Sequence, residues 1–209
     1  MEEKKHDNNT AHQQAKPSMK QEKASWGWRM AVNLCRLPLS LALIFSGFVK
    51  AIDPLGTQYK IGDYLEALHL EQYAPSWATL TTSVLLSAVE FCLGVFLLFA
   101  IRRRKVSRVI VAFMAIMTAI TVWLWGWEPI KDCGCFGDAI HLTNGETLLK
   151  NLLLLAMAAV VAWKPFCMVR FISKTNQWIV INYTLLFILV SSALSLWYGD
   201  PRRSQAAKV

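Results

Sequence analysis

Two cysteines separated by a single glycine, Cys133 and Cys135, lie in the segment KDCGCFGD at residues 131–138. Thiols this close along the chain can cycle between a dithiol and a disulfide. A disulfide across one intervening residue closes a very small ring, and the resulting strain makes the bond easier to reduce. Gly134 allows backbone conformations that other residues avoid. The pattern therefore favours thiol–disulfide exchange over a permanent structural link.

The charged neighbours of this pair act on the thiols in opposite directions. Lys131, together with the start of the helix expected after the segment, favours the thiolate, whereas Asp132 and Asp138 oppose it. His141 can move protons near neutral pH, although a lone histidine in a loop is more often only solvated. The sequence leaves open which influence prevails.

Two other interpretations of the segment stay open. In the first, the bridge is permanent or the thiols are idle, with no chemistry attached. The second is a metal site made by Cys133, Cys135, Asp138 and His141, but no further cysteine pair completes a tetrahedral set. We therefore predict no metal centre and a catalytic role for the two cysteines.

The elements that must hold this segment are long apolar runs. The chain has 209 residues, of which 55% are hydrophobic and only 17% charged, a composition that excludes an ordinary soluble domain. About 20 apolar residues cross a bilayer as a helix, and open strands cannot satisfy their backbone in lipid. Five such runs are present, at residues 30–51, 77–101, 106–127, 147–163 and 178–198. The sequence predicts an all-α, polytopic bundle of transmembrane helices, with the cysteines between the third and fourth.

Charge sets the orientation of this bundle. Basic residues are concentrated before residue 29, in 102–108 and in 164–174, whereas 52–76 and 128–142 carry more acids than bases. Lysine and arginine stay on the cytoplasmic side, so we expect the N-terminus in the cytoplasm and the cysteines in the oxidising compartment outside. With five spans the C-terminal tail also lies outside, although the basic residues of the tail would favour the cytoplasmic side.

Outside the spans the chain is polar. Residues 1–25 hold almost no apolar groups and are expected to be a disordered leader, without the early apolar stretch of a cleaved signal peptide. The first span is then an uncleaved anchor. The net charge of +8 lies where anionic lipid headgroups meet the protein, so the lipid bilayer explains it without a nucleic-acid partner.

Charged residues inside the spans are unfavourable in lipid and are usually paired or functional. Arg36 and Glu90 lie at a similar depth, roughly 21 Å from the outer side at about 1.5 Å per residue, which predicts an ion pair between them. Lys50, at the outer end of the first span, is expected to extend its amine to the interface. The three other cysteines are expected to behave as small hydrophobic residues: Cys35, Cys92 and Cys167.

The fourth span begins with a capping signal. Thr143 and Glu146 have the spacing of a capping box, in which each side chain bonds the other's backbone N–H. Lys150 stands four residues after Glu146, in the order that favours an ion pair along a helix. These residues attach the end of the cysteine segment to a rigid helix start.

Several phrases of the sequence resemble a known superfamily of membrane proteins. FSGFVKAIDPLG looks like the start of DoxX-type proteins, and the cysteine phrase with the residues after it resembles the MauE branch, named for methylamine utilisation. The phrases are FSGFVKAIDPLG at 45–56, DCGCFGD at 132–138, LT at 142–143 and KN at 150–151. The resemblance covers residues 35–163 and implies a small four-helix membrane protein linked to periplasmic disulfide chemistry or electron transfer. The plan is also similar to vitamin K epoxide reductase-like quinone enzymes, whose second cysteine pair is missing here.

We expect three parts in the chain: a disordered cytoplasmic leader at 1–28, a DoxX/MauE-like four-helix membrane core at 29–164, and a fifth span with a short tail at 165–209. The favoured function is thiol–disulfide exchange in a bacterial inner membrane. Electrons would pass between a periplasmic thioredoxin-like partner and an unidentified acceptor, with a quinone as one candidate. The predicted catalytic residues are Cys133 and Cys135, and the predicted supporting residues are Asp132, Asp138, His141, Lys50 and Lys150.

Two further functions remain as alternatives. One is a non-enzymatic scaffold or assembly subunit of a larger membrane complex, and retained partner binding after loss of both thiols would favour it. The other is a small-solute transporter that uses Arg36 and Glu90, for which the sequence has no evident inverted repeats or broken helix pairs.

Overall fold

The computed structural model describes residues 26–69, 75–127, 143–171 and 176–198, and this part of the chain contains helices and no β-strand. The predicted all-α fold is confirmed. The helices are α1 (Trp26–Ile52), α2 (Pro54–Ala67), α3 (Ser76–Leu98), α4 (Arg103–Trp127), α5 (Asn144–Trp163) and α6 (Gln177–Tyr198), with a short 3-10 turn at Pro165–Cys167. Five of them, all except α2, are long and apolar enough to cross a membrane.

Among the described residues, α2 is the helix that the sequence analysis missed. A single residue, Asp53, separates it from α1 and caps it. Asp53 Oδ1 accepts a hydrogen bond from the backbone N–H of Gly56 at 2.9 Å, with Pro54 in the first turn. Aspartate followed by proline is a common helix start, so the signal was present in the sequence. With 14 residues, α2 is too short to cross a bilayer, and it packs against α3.

Helices α1 and α3 approach each other closely, and two glycines make this contact possible. A Cβ atom added at Gly47 would lie 2.5 Å from the backbone nitrogen of Phe91, and one added at Gly94 would lie 2.8 Å from the backbone nitrogen of Ile44. Small residues at such a crossing let two membrane helices approach until their backbones touch. The two contacts fix α1 and α3 in one antiparallel register.

The remaining spans pack around this pair. Helix α5 contacts both α4 and α1, and Asn151 Nδ2 donates a hydrogen bond to Thr121 Oγ1 of α4 at 2.8 Å in the buried interior. Helix α6 packs on α3 and α1, where the ring of Phe187 stacks on Phe91 and Phe48 with centroids 5.4 Å and 6.0 Å away. The fifth span therefore lies directly against the first two.

The end of the bundle opposite α2 is held by arginine. Arg103 Nη1 at the start of α4 donates hydrogen bonds to the carbonyls of Phe166 and Met168, each at 3.1 Å. Cys167 is buried beside them in the apolar core, and Cys35 packs against that core. These two cysteines have the apolar surroundings expected of small hydrophobic residues.

Adding a methyl group at the helix crossing tests this packing. We expect Gly47→Ala to lower the free energy of unfolding by about 1–3 kcal/mol, because the backbone of Phe91 must move to make room for it. The measurement is thermal unfolding of the purified protein in detergent. Gly126→Ala is the matched control, since an added Cβ meets no atom within 4 Å there. Equal stability of the two variants would show that the helices do not approach this closely.

Candidate functional site

The predicted catalytic pair lies outside the described residues. Cys133 and Cys135 belong to the segment 128–142, as do the predicted supporting residues Asp132, Asp138 and His141. The structure describes the two helices that this segment joins: α4 ends at Trp127 and α5 begins at Asn144. The end of α4 lies at the same end of the bundle as α2, because residues of both helices line one cavity. The start of α5 lies beside it, since a Cβ atom added at Gly145 would be 3.8 Å from Trp125 Nε1.

The start of α5 has the capping box that its sequence predicts. Thr143 Oγ1 accepts a hydrogen bond from the backbone N–H of Glu146 at 3.3 Å. Glu146 Oε2 in turn accepts hydrogen bonds from the backbone N–H of Thr143 at 2.9 Å and from its hydroxyl at 2.8 Å. The helix that follows the cysteine segment therefore has a well-defined first turn.

The centre of the described site is a buried ion pair between α1 and α3. Lys50 Nζ lies 2.7 Å from Glu90 Oε2, and both side chains are almost completely buried. Ser46 Oγ, one turn earlier on α1, donates a second hydrogen bond to the same carboxylate oxygen at 3.1 Å. Two opposite charges in direct contact offset part of the free energy of removing each from water.

This arrangement corrects the predicted ion pair between Arg36 and Glu90. Arg36 Nη1 instead donates a hydrogen bond to the carbonyl of Val169 at 2.7 Å, and its guanidinium lies 5.0 Å from the centre of the Phe171 ring. A carbonyl and an aromatic face therefore take the place of a carboxylate beside this guanidinium, and its buried Nε has no hydrogen-bond partner among the described residues. Arg36 therefore fastens the segment after the 3-10 turn, away from Lys50.

The depth estimate failed because α3 does not begin level with the end of α1. The first turns of α3 extend past α1 and pack on α2: Ser83 Oγ donates to the Pro54 carbonyl at 2.7 Å, and Gln58 Nε2 donates to the Ser76 carbonyl at 3.0 Å. Glu90 therefore lies next to the last turn of α1. Lys50 was also expected to extend its amine to the interface, which is wrong, since its amine is buried against Glu90.

A cavity of about 280 Å³ lies between α2, α3 and α4, with Lys50 in its wall. Its surface is mainly apolar, formed by residues such as Ile61, Leu86, Met117 and Trp123, with a few threonines between them. We name it the α2–α4 cavity. The sequence does not predict this cavity, because one of its sides is α2, a helix that lies outside the five apolar runs.

A second, much smaller cavity lies beside the carboxylate of the ion pair. Ser46 and Glu90 line it together with Lys150 and Asn151 of α5, and its volume of about 20 Å³ is enough for about one water molecule. Lys150, predicted as a supporting residue from its place after the capping box, thus shares a cavity with Glu90. The ion pair borders both cavities, since Glu90 lines the smaller one and Lys50 lines the α2–α4 cavity.

Comparison with known proteins identifies the family of the chain. A family model described as methylamine utilisation protein MauE matches residues 28–164, which run from the first turn of α1 to the end of α5. This match covers more than half of the sequence, so the chain belongs to the MauE family. No curated protein and no solved structure matches it.

A double-mutant cycle tests which basic residue pairs with Glu90. We expect Lys50→Met to lower the free energy of unfolding by roughly 3–5 kcal/mol, because it leaves the buried carboxylate of Glu90 without its partner. Lys50→Met combined with Glu90→Leu should recover most of that loss. The free energy of unfolding in detergent is measured for the unaltered protein, for the two single variants and for the double variant.

The matched control is the same cycle with Arg36→Met in place of Lys50→Met. Residues without a shared contact have additive effects within about 0.5 kcal/mol, so this cycle should show no coupling between Arg36 and Glu90. Coupling in the Arg36 cycle and none in the Lys50 cycle would contradict the observed pair.

Proposed function

We propose that this MauE-family membrane protein performs thiol–disulfide exchange at the outer face of a bacterial inner membrane, through Cys133 and Cys135. The observation that carries the proposal is the position of the segment that bears them. It joins two membrane-crossing helices at the end of the bundle where α2 and the α2–α4 cavity lie. Sites that adjoin rigid helix ends are held more precisely than sites on long loops, which supports a chemical role for this segment.

The proposed chemistry is a two-step exchange with a periplasmic thioredoxin-like partner. The thiolate of one cysteine attacks a sulfur of the partner's disulfide, and the partner's other sulfur leaves as a thiolate. The second cysteine then attacks the mixed disulfide, which releases the partner as a dithiol and leaves Cys133 and Cys135 joined. Two electrons have passed to the partner, and the reverse sequence of steps passes them back.

The charge distribution of the described residues supports the proposed orientation. The turn before α4, the first turn of α4 and the segment after α5 carry a group of bases: Arg102, Arg103, Arg104, Lys105 and Arg170. The opposite end carries Asp53, Asp63 and Glu66 on and before α2. Lysine and arginine are retained on the cytoplasmic side, which favours a cytoplasmic N-terminus and an outward-facing cysteine segment.

Thiol labelling in intact cells tests the orientation. In a variant with Cys35, Cys92 and Cys167 replaced by serine, a membrane-impermeant maleimide should label the reduced protein from outside, because only Cys133 and Cys135 remain. A protease site inserted after Lys105 should be cleaved only in inside-out vesicles. The reverse pattern would contradict the orientation and remove the oxidising environment that the exchange needs.

Redox titration and serine variants test the exchange itself. With glutathione, the cysteine pair should titrate at a potential more oxidising than about −300 mV, the level typical of inert structural disulfides. Either single variant, Cys133→Ser or Cys135→Ser, should lose the activity with normal unfolding behaviour, and one should accumulate a mixed disulfide with a periplasmic protein. Full function in the double serine variant would reject the exchange and favour a scaffold role.

A further inference from the structure

The ammonium of Lys50 has hydrogen-bonding capacity that the described residues do not use. It carries three N–H donors, and among the described residues its acceptor is a single atom, Glu90 Oε2, at 2.7 Å. The side chain is only 3% exposed and forms part of the wall of the α2–α4 cavity. A buried donor gains most from an acceptor supplied within the cavity that it borders.

The ion pair also decides the charge of that acceptor. Glu90 already neutralises Lys50, so an anion bound at Lys50 would add a second negative charge beside a buried carboxylate. Lys60 is the other charged residue of the cavity wall, and it is partly exposed, where its amine is free to remain in water. A neutral oxygen atom, such as a carbonyl, is therefore the acceptor that fits next to Lys50.

The size and walls of the cavity indicate the rest of the ligand. Its volume of about 280 Å³ exceeds the roughly 150 Å³ of a cavity that holds a benzene ring. Leu86 and Met117 give apolar contacts, and the indole of Trp123 offers a flat surface on which a ring can stack. The mainly apolar wall, two sides of which are helices long and apolar enough to cross a membrane, favours a ligand that is soluble in lipid.

We propose that the α2–α4 cavity binds a lipid-soluble quinone, with Lys50 donating a hydrogen bond to one quinone carbonyl. A quinone combines a neutral six-membered ring with carbonyl oxygens and partitions into membranes. This inference names the electron acceptor of the proposed function and rests on it for its role. In the reverse sequence of the exchange, the partner's dithiol reduces the Cys133–Cys135 disulfide to a dithiol. When that cysteine dithiol returns to a disulfide it releases two electrons and two protons, and the quinone takes up both to become a quinol.

The test is photolabelling of the full chain in lipid nanodiscs with an azido derivative of decylubiquinone. Labelled peptides should come from α2 and from the second half of α4, and unlabelled decylubiquinone should compete. The double variant Cys133→Ser/Cys135→Ser is labelled in parallel and should bind equally well. Its binding reports on the cavity alone, so failure here is distinguishable from failure of the thiol–disulfide exchange.

Two neighbouring leucines on α3 provide matched variants. Leu86→Trp fills the cavity and should raise the dissociation constant about tenfold or more, which corresponds to about 1.4 kcal/mol. Leu85→Trp makes the same change on the exposed side of the helix and should leave binding unchanged. Ile61→Trp fills the cavity from α2 and replaces Leu86→Trp should that variant fail to fold.

The Lys50→Met/Glu90→Leu variant separates the hydrogen bond from apolar partitioning. It keeps an apolar cavity but removes the donor, so decylubiquinone should bind more weakly while decylbenzene, which has no carbonyl, should compete as it does in the unaltered protein. Unchanged quinone labelling in the cavity-filling variants would overturn the proposal. So would competition by palmitate that exceeds competition by decylubiquinone, since the cavity would then be a site for anionic amphiphiles.

Discussion

A lysine and a glutamate in direct contact inside a membrane bundle determine much of this structure. Burying the charge of Lys50 or of Glu90 without the other would cost a large free energy, because an unpaired charge in an apolar interior is strongly unfavourable. Their contact at 2.7 Å requires α1 and α3 to approach closely, and Gly47 and Gly94 allow that approach. The register that the pair needs is therefore the register that the glycines permit, and both favour one arrangement of the two helices.

Helix α2 lies next to this ion pair, since Lys50 and residues of α2 line the same cavity. The end of α1 would otherwise leave Lys50 close to water, where its amine would be hydrated and its contact with Glu90 weakened. Asp53 and Pro54 turn the chain directly into a helix that packs along the projecting turns of α3. The same helix forms one side of the α2–α4 cavity, in whose wall Lys50 lies.

The two ends of the bundle are built on different principles. At the basic end, Arg36 and Arg103 use their guanidinium groups to hold backbone carbonyls of the segment after α5, with aromatic rings stacked against them. Side-chain hydrogen bonds to backbone carbonyls therefore hold that end of the bundle together. At the other end, the α2–α4 cavity reaches the last turns of α4, and the ion pair and the smaller cavity lie deeper in the bundle. The proposed redox function needs the second kind of end, where space and polar groups coexist.

The sequence alone determined the helical class, the membrane location of the spans and the capping of α5, because each follows from local composition or from residues three and four apart. It also identified the MauE family from a short cysteine phrase and its neighbours. The partner of Glu90 and the cavity were decided only by tertiary structure. Depth counted along separate helices gave Arg36 as the partner, but the real level of Glu90 depends on how far α3 extends past α1. That offset is set by the glycine contacts and by α2, which are packing relations between distant parts of the chain and leave no periodic signal in the sequence.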